Sequence, residues 1–298
     1  MSKQTAITIQ QDPQAVIRLV LDGLTSENSR RAYSKALTDF LAWFDAEGRP
    51  GLSKATVQRY KAVLQEKGLS PASINLRMSA IRKLAQEAAD NGLVDQNMAN
   101  GIARVRGVKS QGVRAGNWLT KEQAQALLET PDITKLKGLR DRAILAVMLG
   151  AGLRRSEVAA LTFDHIQQRE GRWVIVDLVG KGNRVRTVPT PAWAKVAVDE
   201  WTQTAGITAG RVFHPIHKGG FINGDSMTAQ AVHDVVKEYG HLAAHDLRRT
   251  FAKLAYKGGA GLDQIQLSLG HASIQTTERY LGVTQDLTDA PCDHLGLR

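Results

Sequence analysis

Between Ala103 and Gly116 the chain reads ARVRGVKSQGVRAG, with four basic residues, three glycines and no acid. Such a tract has little apolar surface to join a core and much glycine to oppose a helix or strand. It divides the 298 residues into two units, and each must bury a core of its own. The expected limits are 12–102 for the first unit, 103–117 for the linker and 118–298 for the second.

The first unit reads as helices. After Ser26, Tyr33, Leu37, Phe40, Leu41 and Phe44 recur at helical spacing. Gly48, Pro50 and Gly51 end that run near Glu47. Ser53 opens a second helix ending near Gly68, and Ser70-Pro71 a third ending near Gly92, with proline in the first turn. Asp12-Pro13 mark a short helix ahead of these, which makes a four-helix unit.

The second unit starts at Trp118. Thr120, with Gln123 three residues on, has the pattern of a capping box. A helix over Leu139–Leu149 is expected to stop at Gly150 and Gly152. WVIVDLV, from Trp173 to Val179, alternates and is β-branched, so it reads as a strand; Gly180–Asn183 form a turn and Arg184–Val188 a return strand. Helices follow near Trp193–Thr204, Thr228–Glu238, His245–Tyr256, Leu262–Ser268 and Ser273–Tyr280. The predicted class is mainly α with a small antiparallel β-sheet.

Lysine plus arginine number 39 against 29 acids, a net charge of +10. A surplus of that size favours a polyanionic partner, nucleic acid ahead of an anionic membrane. Met1–Ser110 hold 16 basic and 10 acidic residues, and the remainder 23 and 19, so both parts are positive. A nucleic acid is therefore expected to touch both. No run of eighteen apolar residues exists, and the N-terminus lacks the apolar stretch of a signal peptide. A lone Cys292 excludes a disulfide framework and a cysteine-built zinc site, so the expected compartment is the cytoplasm, with no membrane partner. Neither a GxxxxGK[ST] phosphate loop nor a GxSxG elbow is present. His241 and His245 have a chelating spacing but lack the glutamate of HExxH, which argues against zinc.

Four segments carry groups suited to phosphate chemistry. Gly152 breaks a helix and leaves Arg154 at the start of the next, where a planar guanidinium can hold an anion, with Glu157 placed to orient it. Lys181, in GKGNR, sits in a hairpin turn from which an ammonium can reach a site and donate a proton. His245 and Arg248, in HDLR, share a helix face and can grip one phosphate. LGHAS followed by TTERY places His271 nine residues before Tyr280. Taken singly these are commonplace: a surface ion pair, a turn lysine, a short motif and a half-buried tyrosine.

Together, in this order, the segments GLRRSEVAAL, GKGNRVRTVP, HDLRRTFA and LGHASIQTTERY resemble the tyrosine recombinase (phage integrase) family. The resemblance spans Leu119–Tyr280, and SRRAYSKALTDFLAWF and SPASINLRMSAIRKLAQEA resemble the family's N-terminal core-binding domain more loosely. It implies a SAM-like helical core-binding domain joined to a recombinase catalytic domain. It further implies that Tyr280 attacks a DNA phosphate, forms a 3′-phosphotyrosyl bond and frees a 5′-hydroxyl. Arg154, Arg248 and His271 would hold the phosphate, Lys181 would protonate the leaving oxygen, and His245 would handle the tyrosine proton. The covalent link conserves the bond's reactivity, so no cofactor, ATP or metal is expected.

The partner implied is a double-stranded DNA recombination site, gripped between the two units and bound by a homodimer, with a tetramer in the synapse and a possible accessory or directionality protein. Arg30, Arg31, Arg77, Arg82 and Lys83 are the candidate DNA contacts of the first unit. With about two dozen residues before Ser26, a simple Xer-like, transposon or plasmid-borne enzyme is expected. The tail LGVTQDLTDAPCDHLGLR contains Pro291, which interrupts any long helix. A DNA-binding regulator and a type IB-like topoisomerase are the alternative readings.

Overall fold

The computed structural model describes residues 13–109, 117–180 and 184–282. The chain separates into two compact units, Met1–Val113 and Arg114–Arg298.

The first contains α1 (Pro13–Asp22), α2 (Glu27–Ala46), α3 (Lys54–Glu66), α4 (Pro71–Asp90) and α5 (Gln96–Ala103). Ser53 and Ser70 cap α3 and α4 by accepting from the N–H groups of Thr56 and Ser73. Ser26 precedes α2 without a side-chain capping bond. Leu37, Phe40, Ile74, Met78, Ile81 and Leu84 fill the core.

The four expected helices are joined by α5. Asp95 starts it by accepting from the N–H groups of Asn97 and Met98. Only Ala99 and Ile102 of its eight residues are buried, too few for a visible period. The chain then stays on this unit past 102. Val105 is buried and its carbonyl accepts from Arg82, while Asn75 pairs with both backbone groups of Val108. The start of the basic tract is thus held largely through its backbone, which composition does not reveal.

The second unit contains α6 (Lys121–Glu129), α7 (Leu136–Ala151), α8 (Arg155–Ala160), β1 (Ile166–Arg169), β2 (Arg172–Val179), β3 (Val185–Pro189), α9 (Ala192–Thr204), α10 (Ala229–Gly240), α11 (Ala244–Lys257), α12 (Leu262–Leu269) and α13 (Ile274–Leu281). Thr120 and Gln123 form the expected capping box. The antiparallel sheet has order β1-β2-β3. Strand β1, IQQR, has one apolar residue and gave no alternating signal.

Helix α7 is buried almost all round, from Ala143 to Leu149, and centres the main core. Gly150 does not break it, contrary to expectation. A side chain there would lie 2.9 Å from Pro191, so this glycine serves close packing. Gly152 does end α7, at φ +61°, and a Cβ there would meet Phe251 at 2.6 Å. A smaller cluster of Ala252, Ile265, Leu269 and Leu281 ties α11, α12 and α13 together.

Candidate active site

The turn at Gly152 delivers Arg154 to the N-terminus of α8. Glu157 holds it there: one carboxylate oxygen accepts from the Arg154 backbone N–H at 2.7 Å, the other from its Nη1 at 2.7 Å. Nη2 of Arg154 donates to the Leu269 carbonyl at 3.2 Å. Arg248, on α11 and 1% exposed, donates from Nη1 to the Gly152 carbonyl at 2.5 Å and from Nη2 to the same Leu269 carbonyl. One carbonyl therefore seats both guanidiniums. It lies at the C-terminus of α12, where helix carbonyls lack intrahelical partners and the dipole favours cations. Gly270, at φ +62°, turns the chain away from that end.

The turn leads to His271, whose Nδ1 lies 3.0 Å from the buried hydroxyl of Thr277 on α13. Tyr280 follows one turn later on α13. Its ring meets the imidazoles of His245 and His271 edge-on, with centroids 5.5 and 5.3 Å away. The Arg249 guanidinium lies 5.3 Å over the ring. Among the described residues, the Tyr280 hydroxyl has no hydrogen-bond partner.

The electrostatics suit an anion. Burial pushes the Tyr280 phenol up to about 12, against the pull of Arg248 and Arg249. Burial and the charges of Arg248 and Arg154 bring His271 down to about 4, so it is neutral at pH 7. Loss of solvent and the charges of Arg248 and Arg249 lower His245 as well. Burial alone would raise Glu157; hydrogen bonds from Arg186 and Arg154, with their charges, hold it at about 2.

Five of the six candidate catalytic residues, Arg154, His245, Arg248, His271 and Tyr280, are brought together. Lys181 lies outside the described residues. Gly180, at the end of β2, would place a Cβ 3.4 Å from Arg154 Nη1, so the base of the hairpin reaches the cluster. The residues that follow Arg154 and Arg248 in sequence separate here. Arg155 is exposed and reaches Gln230 on α10, whereas Arg249 joins Tyr280. Asp246 accepts from the Ala243 N–H and helps cap α11. His241 ends α10 at φ +50°, so HLAAH straddles a helix break and the zinc spacing never lies on one helix. Among the described residues, no three or more His, Cys, Asp or Glu side chains gather where a metal could be held. Arg186 and Thr277 were not anticipated from sequence, because their partners are set by the fold.

On the first unit, Arg30 and Arg31 lie exposed on α2; Arg30 donates to the Leu24 carbonyl and Arg31 pairs with Glu27. Arg77 is mostly buried against Asp39, and Arg82 is half-buried against the Val105 carbonyl. Lys83 pairs with Glu87.

Residues 117–286 match the model of the phage integrase family, and residues 17–92 that of the phage integrase N-terminal SAM-like domain. The chain belongs to the phage integrase family. It is a site-specific tyrosine recombinase, an enzyme that breaks and rejoins DNA. It is 33% identical over 275 residues to tyrosine recombinase XerC of Pelobacter propionicus, covering 88% of this chain and 86% of the relative. Two solved structures share the integrase fold. The XerH site-specific recombinase bound to palindromic difH substrate, a post-cleavage complex, aligns with TM-score 0.66 and 22% identity over 87% of this chain and 77% of that one. A lambda integrase dimer bound to a COC′ core site aligns with TM-score 0.68 and 15% identity over 92% and 78%. Among the described residues, no helix is long and apolar enough to cross a membrane.

Proposed function

We propose that Tyr280 is the nucleophile of this recombinase. The observation that carries the reading is its surroundings. Of the five tyrosines, Tyr280 is the one flanked by two imidazoles and an arginine next to a pair of guanidiniums on one carbonyl. Tyr60 is buried in the first unit, and Tyr239 is bonded to Asp141 and Lys137.

The phenol oxygen attacks the scissile phosphorus while its proton passes to neutral His245. The bond from phosphorus to the 5′-oxygen breaks, and Lys181 protonates the departing oxygen. Arg154, Arg248 and His271 take up the charge that grows on the non-bridging oxygens. The 3′-phosphotyrosyl bond is then attacked by a 5′-hydroxyl of the partner strand, which restores a phosphodiester and frees Tyr280. The energy of the first bond is carried through the link, so cleavage in excess EDTA, without nucleotide, should match that without chelator. A strong loss on chelation, restored by a divalent metal, would contradict this.

Residues 118–298 form the catalytic domain in this reading and 12–102 the DNA-reading domain, and the first part of the 103–117 join, through Val108, packs on the DNA-reading domain. Arg30 and Arg31 are the contacts of the first unit most available to phosphates. The assembly is a homodimer on each site and a tetramer in the synapse, with room for an accessory directionality protein. The test is a nicked duplex taken from inverted repeats flanking the coding sequence. Wild-type protein should form a detergent-resistant adduct, and Tyr280→Phe should bind the duplex without forming one. An adduct with the Phe variant refutes the assignment. Tight binding without any wild-type adduct favours a regulator, and relaxation of plasmids lacking the repeats a topoisomerase.

A further inference from the structure

The sequence motifs name two arginines for the phosphate, but a third guanidinium is built into the same cluster. Arg186 sits on β3, which pairs antiparallel with β2. Its side chain is 7% exposed. Nη1 and Nη2 donate to the two oxygens of Glu157, each at 2.8 Å, a bidentate fork. Nε donates to the Ser268 carbonyl at 2.8 Å. Gly270 closes over it: a Cβ there would lie 2.9 Å from Arg186 Cδ. All its hydrogen bonds therefore point into the protein, and phosphate contact is not its task.

The carboxylate it holds is the one that orients Arg154. Glu157 is 5% exposed and shared by two guanidiniums. Without Arg186, this buried carboxylate would have Arg154 as its remaining cationic hydrogen-bond partner among the described residues. A buried unpaired carboxylate is costly, so it would draw the Arg154 fork into a closed, neutral pair. With Arg186 in place, Glu157 is already compensated. Arg154 then keeps a single guanidinium bond to it, beside the backbone bond, and a net positive field toward the site. The Ser268 bond also anchors the end of α12, next to the Leu269 carbonyl that seats Arg154 and Arg248.

We infer that Arg186 is a positioning residue for recombination: it balances Glu157 so that Arg154 is held ready for the scissile phosphate. This rests on the assignment of Arg154 and Tyr280 given above. The prediction is a loss in the chemical step that runs entirely through Arg154.

The experiment is single-turnover adduct formation on saturating nicked duplex from the flanking repeats, with full-length Arg186→Gln, Arg154→Ala and the double variant followed over hours. Arg186→Gln should slow cleavage by about tenfold to a hundredfold without changing DNA affinity. In the Arg154→Ala background it should cost nothing further, within about twofold. If Arg186→Gln melts early, the same cycle is run with Arg186→Met, which keeps the packing of the stem but removes the cation. A wild-type rate for the variant that folds, or losses that multiply in the double variant, overturns the inference. Tyr280→Phe in parallel separates the two levels. If it still forms adduct, the assignment of the nucleophile fails; if it does not, only the role of Arg186 is at stake.

Discussion

At the scale of single residues, the proposed mechanism sets a task for His245. A phenol held at about 12 is almost wholly protonated at neutral pH, and the nearby imidazole is neutral there because its pKa is lowered. Wild-type cleavage should therefore stay level through neutral pH, since the base is already in its accepting form. Removing it by His245→Ala should reduce the rate at pH 7 by about a hundredfold or more. The variant's rate should then climb about tenfold per pH unit from pH 7 to 9, as phenolate forms from solution. A flat profile for the variant, measured by single-turnover adduct formation, would assign the proton to another group. His271 and Tyr280 could be read from sequence because their context is local: a helix end, a turn and one short helix. Arg186 could not, since its partners lie 29 and 82 residues away. Nothing near it in sequence separates it from an ordinary strand arginine.

At the scale of elements, helix ends build the candidate site. Helix α7 stops at Gly152, α12 at Gly270, and the carbonyls of Gly152 and Leu269 receive the two arginines. Gly152→Ala should be expensive, because it combines a left-handed backbone with a contact to Phe251. The expected cost is about 2–4 kcal/mol, seen as a fall of roughly 5–15 °C in the melting of the second unit. An unchanged melting temperature would show that the turn relaxes freely. Cleavage should fall as well, since the displaced carbonyl holds Arg248. Periodicity made the long helices legible, and the caps at Ser53, Ser70 and Thr120 fixed three of their starts. It failed for α5 and β1, which are short and bury few side chains. It misread Gly150, because a glycine used for close packing between helices looks in sequence like one used as a breaker.

At the scale of the whole molecule, the +10 charge resolves into different duties. In the catalytic unit Arg154 and Arg186 share one carboxylate, and Arg154 and Arg248 one carbonyl. Arg77 and Arg82 brace the first unit internally. Arg30 and Arg31 remain on an exposed helix face, where the Arg31–Glu27 pair is solvent-screened and readily exchanged for a phosphate. Replacing both with alanine should weaken DNA binding and reduce the slope of log affinity against log salt by up to about 2. Cleavage of saturated complex should be unchanged. A slope equal to wild type would move the contact elsewhere. The most direct test of the chemistry is mass spectrometry of the protease-digested adduct formed on the nicked flanking-repeat duplex. The nucleotide should be found linked through its 3′-phosphate to Tyr280; linkage to Tyr33, Tyr60, Tyr239 or Tyr256, or to a residue that is not tyrosine, would contradict it.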